Sequence, residues 1–138
     1  MTAWMIILLG LAFAQAAPDS LDGEWQVKSV EANGMKAPED NIKGMKLILK
    51  GDTFKYLMGE KVVLEGTFKA DQKKGTLDAE GKDPQGQVVK TIGIMDLKGD
   101  TMRVCFVKEG EQRPKEFSAK EGSNSSLITY QRVKTRDK

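Results

Sequence analysis

From Gly23 onward, apolar and polar side chains alternate over short runs, and nearly every run is closed by a glycine beside a polar or turn-forming residue. A period of two is the mark of a strand with one dry face. Trp25 and Val27 alternate with Glu24, Gln26 and Lys28, and Asn33-Gly34 then supplies a dipeptide that tolerates positive φ in a tight turn. Further turns are expected at Gly51-Asp52, Gly59-Glu60, Lys74-Gly75, Gly81, Gly86, Gly99-Asp100 and Gly122-Ser123. Between them the pattern predicts strands over 45–50, 53–58, 61–70, 76–80, 87–97, 101–107 and 127–133, eight with the first. Residues 37–44 carry Pro38, Glu39 and Asp40 in front and Gly44 behind, the asymmetry of a short helical turn. No other segment reads as helix. Eight strands joined mostly by hairpins, with no helix to cover a sheet face, favour closure, since closure removes exposed edges. The expected architecture is therefore all-β: a small eight-stranded antiparallel up-and-down barrel with one short helical turn after the first strand. A two-sheet sandwich is the alternative.

The first 18 residues break this pattern, because they contain no charged side chain while every charge lies from Asp19 onward. Residues 4–13 are almost unbroken in apolar character, and Ala14-Gln15-Ala16 then gives the small-x-small pattern that a signal peptidase accepts. Residues 1–16 are read as a secretory signal peptide, with cleavage after Ala14 as a second option. No Lys or Arg precedes the apolar core, so only the amino terminus supplies positive charge. An uncleaved anchor is the weaker reading, since a span needs about 20 apolar residues. Residues 17–138 then form a single barrel domain outside the cytoplasm, periplasmic or secreted, with no stable membrane span after cleavage.

Composition removes several chemistries. With no histidine and one cysteine, Ser-His-Asp and Cys-His pairs, His-containing zinc sites and an internal disulfide are all excluded. Asp71, Asp78 and Asp83 are too widely spread for a calcium loop, and haem ligation is poor without histidine. No catalytic motif, metal site or cofactor is expected, and the chain is read as a non-enzyme. With 22 basic residues against 20 acidic ones, a net charge of +2 gives little electrostatic reason to expect a nucleic-acid partner. The basic tail from Arg132 to Lys138 reads as frayed and solvated.

Gly23-Glu24-Trp25 at the start of the first strand and Arg132 at the end of the last resemble the lipocalin and calycin arrangement. That resemblance implies that Arg132 packs over Trp25 and, with Gly23, closes one end of the barrel. Stacking of guanidinium on indole would make such a plug both apolar and hydrogen-bonded. A closer likeness covers about Leu21 to Val133. It is carried by Leu21-Asp22-Gly23-Glu24-Trp25, by Glu65-Gly66-Thr67-Phe68-Lys69, by Gly93 to Met102 with Val104-Cys105-Phe106, and by Arg113 to Ser123. These blocks resemble the lipocalin-like domain of unknown function expanded in planctomycete bacteria. The connection from Asp71 to Thr76 is shorter than that family's usual Pro-containing one. The resemblance implies an extracytoplasmic barrel and no assigned activity.

In a small barrel one face of each strand points inward. The inward set is expected to include Trp25 and Val27, either Phe54, Tyr56 and Met58 or Thr53, Lys55 and Leu57, then Val62, Leu64 and Phe68, Met102, Val104 and Phe106, and part of either Thr91, Gly93 and Met95 or Ile92 and Ile94. Phe54, Tyr56, Phe68, Met95 and Phe106 are the candidate lining for a small apolar ligand; alternatively, the same side chains simply fill the core. Cys105 lies on the opposite face from Met102, Val104 and Phe106. It reads as a half-buried small apolar residue, or more sharply as a thiol able to link two chains. The two functional expectations are a lipocalin-like barrel binding a small apolar molecule and a packed barrel acting as a protein-interaction or inhibitor module through loops such as 108–115.

Overall fold

In the computed structural model, which describes residues 20–134, the alternating runs form nine strands and one four-residue helix. The strands are β1 (Gly23–Ala32), β2 (Met35–Lys36), β3 (Met45–Lys50), β4 (Thr53–Met58), β5 (Lys61–Asp71), β6 (Thr76–Lys82), β7 (Val88–Lys98), β8 (Thr101–Lys108) and β9 (Ser126–Arg132). The helix, α1, is Glu39–Ile42. The signal-peptide reading lies outside the described residues, as does the tail beyond Lys134. Among the described residues no helix is long and apolar enough to cross a membrane.

All neighbouring strands pair antiparallel in the order β1-β3-β4-β5-β6-β7-β8-β9, and β9 returns to β1. The result is a closed eight-stranded barrel with β2 folded back as a short extra ribbon on the end of β1. β1 is the closing strand. Gly23 to Gln26 pair with β3 and Trp25 to Ala32 with β9, and a bulge between Val27 and Ser29 interrupts the pairing with β9. Trp25 stands at the seam, opposite Leu47 on one side and Arg132 on the other.

Strict alternation carries one set of side chains inward from every strand. Trp25, Val27, Leu47, Leu49, Phe54, Met95, Met102, Val104, Ile128 and Tyr130 form one buried cluster with Ile42 of α1. α1 follows Pro38, whose φ of −63° suits the approach to a helix, and its Ile42 joins the apolar cluster. The two strands of the β3–β4 hairpin match their sequence-predicted spans, 45–50 and 53–58.

Two features were not expected from the pattern. One is β2, which the Asn33-Gly34 turn creates by returning the chain against β1. The other is the connection from Glu109 to Ser125. It has no regular strand or helix, yet it lies against the outer face of the sheet. Its contacts are specific. Arg113 Nη1 donates to the Gly93 carbonyl at 2.8 Å and pairs with Asp78 at 2.8 Å. The Arg103 guanidinium sits 4.1 Å from the centre of the Phe117 ring. The Gly34 N–H donates to the Ala119 carbonyl at 2.6 Å, and the Gly122 N–H to Asn33 Oδ1 at 3.2 Å. The strap thus ties β8 and β9 back to the β1–β2 turn. Beneath it Cys105 is 0% exposed, with Sγ 3.3 Å from the Ser118 carbonyl. The cysteine is fully buried rather than half-buried, and the thiol is out of reach of a second folded chain.

Curving eight short strands into a tight barrel needs positions where backbones meet without side chains between them. Gly66 on β5 faces Gly81 on β6, and a Cβ built on Gly66 would fall 2.0 Å from the Glu80 carbonyl oxygen and 2.6 Å from the Gly81 Cα. Those neighbours are backbone and cannot swing aside. We expect Gly66→Ala to lose about 3 kcal/mol or more in urea unfolding. Gly51→Ala, where the added methyl meets open space but φ is +60°, should lose only about 1 kcal/mol. Equal losses would contradict the close approach of β5 and β6.

Candidate functional site

The chain just before β1 crosses one end of the barrel because Arg132 holds it there. Nη1 of Arg132 donates to the Asp22 carbonyl at 2.9 Å and Nη2 to the Ser20 carbonyl at 3.0 Å. The same guanidinium lies 4.3 Å from the centre of the Trp25 ring, an interaction worth about 1 kcal/mol and more where water is excluded. Trp25 is 0% exposed, and its Nε1–H donates to the Leu21 carbonyl at 3.0 Å, so the buried indole leaves no polar atom unpaired. Asp100 completes the clamp, 3.3 Å from Arg132 Nε and 3.1 Å from Lys134 Nζ. A hydrogen bond from Lys134, followed by the nearby charges, holds the Asp100 carboxyl below its usual range. Gly23 sits under this clamp with φ +136°, a conformation side chains resist, and an added Cβ would reach Arg132 Nη1 at 3.4 Å.

Leu21 points from this crossing segment into the barrel. Behind it is a cavity of about 80 Å³, lined by Leu21, Leu47, Leu49, Phe54, Phe68, Leu77, Ala79, Met95, Met102, Val104 and Tyr130. Leu21 and Phe68 also face outward, into an open polar depression of about 630 Å³ at the same end. Three of the carboxylates around that depression are engaged in holding turns and strands. Asp22 Oδ1 accepts the Gly51 N–H at 2.9 Å, Asp71 Oδ1 accepts the N–H groups of Lys73 and Lys74 at 3.0 Å each, and Asp78 pairs with Arg113. Among the described residues no group of three His, Cys, Asp or Glu side chains is placed to hold a metal ion.

One pair of polar side chains meets inside the barrel. Tyr56 of β4 and Tyr130 of β9 approach across the lumen, ring centres 6.4 Å apart, and their hydroxyls hydrogen-bond to each other. They are the only two tyrosines in the sequence. Burial pushes the Tyr56 hydroxyl up to about 12, partly offset by the hydrogen bond from Tyr130. Tyr130 is raised well above the ordinary phenol value of 10.0, first by burial and then by the charge Tyr56 would place beside it.

The five sequence-designated lumen residues do not lie together. Phe54, Phe68 and Met95 line the cavity. Tyr56 reaches it only through its hydrogen bond to Tyr130, and Phe106 packs against the apolar cluster away from the lining. Linear alternation gives the face of a strand but not the end of the barrel at which a side chain lies. Leu47, Leu49, Leu77 and Ala79 were missed for that reason. They carry the same period-two signal as Phe54, whereas Leu21, ahead of the first strand, carries none. No protein-family model matches the chain, and no curated protein matches it in sequence.

Phenols with raised pKa values add stability that is complete below the unfolded value of 10.0 and is lost as pH rises toward about 12. An alkaline titration followed by near-ultraviolet phenolate absorbance should therefore show no ionisation near pH 10. Both tyrosines should ionise later, as the fold is lost. A normal midpoint near 10.0 for either one would contradict the buried pair.

Proposed function

We propose that this protein is an exported lipocalin-like barrel of the planctomycete type that holds a short, slender apolar group at one end of its lumen. The supporting observation is the cavity behind Leu21, apolar in all its lining side chains except for the Tyr130 hydroxyl and adjoining an open depression through Leu21 and Phe68. Its volume of about 80 Å³ sets the scale. Drug-sized ligands occupy about 300–1,000 Å³, and an apolar cavity of about 150 Å³ takes one benzene. The occupant is thus a few carbon atoms, either a small molecule or the end of a longer chain whose head stays in the depression. The Arg132 clamp serves as closure of this end in the lipocalin manner, and the chain performs no catalysis.

Burying about four CH2 groups yields about 3 kcal/mol, which corresponds to affinities on the order of millimolar for so small a probe. Ligand-observed magnetic resonance with butane-length alkyl probes should show saturable binding. Ala79→Leu, which fills the cavity from its wall, should abolish that binding while leaving the circular dichroism spectrum unchanged. Solvent extraction of protein from its native envelope fraction, with mass spectrometry, would then identify the natural occupant. Absence of saturable binding to the wild-type chain would overturn this reading.

A second reading draws on the same number. Since side chains fill most of the lumen, the barrel also suits a rigid support for a protein-interaction or inhibitor surface. Residues 108–112 are exposed at the start of the strap, next to the anchored Arg113. Crosslinking in the envelope that recovers no reproducible partner would count against it.

A further inference from the structure

The Tyr56–Tyr130 pair has one more donor than it can use. Each phenol brings one O–H donor and an oxygen that can accept. Between two hydroxyls a single hydrogen bond consumes one proton, and no other hydrogen bond of either hydroxyl is present among the described residues. Either hydroxyl can donate this bond, so when Tyr56 is the donor the O–H left over is that of Tyr130, which lines the cavity and is 3% exposed. Tyr130 is the one hydroxyl-bearing side chain in a lining that is otherwise aliphatic, aromatic or thioether. A buried donor without an acceptor costs about 1–3 kcal/mol, which an incoming acceptor would recover.

We propose that this hydroxyl pair is the polar recognition element of the lumen, and that the cavity takes a short aliphatic molecule or chain end bearing one neutral hydrogen-bond acceptor, such as a ketone, aldehyde or ester carbonyl. The inference rests on the lumen-binding reading above and specifies its chemistry. A carboxylate is disfavoured because no Lys or Arg lines the cavity, and Arg132 of the clamp directs Nη1 and Nη2 at the carbonyls of Asp22 and Ser20 and Nε at Asp100. A purely hydrocarbon occupant would leave the donor unpaired. With Tyr56 donating the mutual bond, the Tyr130 O–H is free to meet an acceptor without movement of either ring.

The test compares butanone with its methylene analogue, in which a CH2 group replaces the carbonyl oxygen, against the wild-type chain and the double variant Tyr56→Phe/Tyr130→Phe. The double variant removes both hydroxyls together and so leaves no orphaned partner. We expect the ketone to lose about fivefold or more in affinity in the double variant, while the hydrocarbon keeps or slightly gains affinity. A second measurement needs no variant: the infrared carbonyl stretch of butanone bound to the wild type should lie below its value in an alkane solvent. If both probes bind but the ketone is unaffected by the variant and its stretch matches alkane, the hydroxyl pair is not the recognition element, and lumen binding still stands. If neither probe binds the wild type, the lumen reading itself falls, and this inference with it.

Discussion

Trp25 is the residue on which the closure of the barrel depends. It lies on the strand where the two edges of the sheet meet, pairs across to β3 on one side and β9 on the other, and is wholly buried. A buried indole needs an acceptor for its N–H and a cover for its exposed face. The Leu21 carbonyl supplies the first and the Arg132 guanidinium the second. Because Arg132 also donates to the carbonyls of Ser20 and Asp22, the cover of the tryptophan fixes the course of the chain that precedes β1. That course places Leu21 in the mouth. Seam, plug and cavity wall therefore follow from the needs of one aromatic side chain.

The same economy governs the interior. An eight-stranded barrel is wide enough to be filled by its own side chains or to leave room for one small ligand. This one comes close to the first condition. Inward glycines on β5, β6 and β7 let the strands approach, with Phe54 against Gly81 and Phe106 against Gly93. What space remains lies behind Leu21, lined by side chains from seven of the eight barrel strands. Beside this cavity, the Tyr56–Tyr130 hydroxyls add a polar contact between strands that are not neighbours in the sheet.

The architecture was largely legible in the chain, since period-two alternation bounded by glycine turns is a local signal. Residues 45–50 and 53–58 show it most clearly, with Lys46, Lys50 and Lys55 set against Leu47, Leu49 and Phe54. The strap from Glu109 to Ser125 was not legible, because it has no periodicity and is held largely by contacts distant in sequence, many of them to backbone carbonyls. Arg113 reaches the Gly93 carbonyl, Gly34 reaches the Ala119 carbonyl, and Cys105 reaches the Ser118 carbonyl. The site was legible by face alone. Phe68 could be assigned inward and Phe54 and Met95 named as candidates, but the separation of Phe106 from them, and the pairing of Tyr56 with a residue 74 positions later, arise only when the sheet closes.

The central claim is that the lumen is packed except for one dry cavity behind Leu21. Crystals equilibrated under xenon test it directly, since an apolar cavity stays free of water and takes up the gas. The account predicts one principal xenon site within the barrel, among the side chains that line the cavity behind Leu21. A barrel without xenon, or with ordered water in that place, would contradict it.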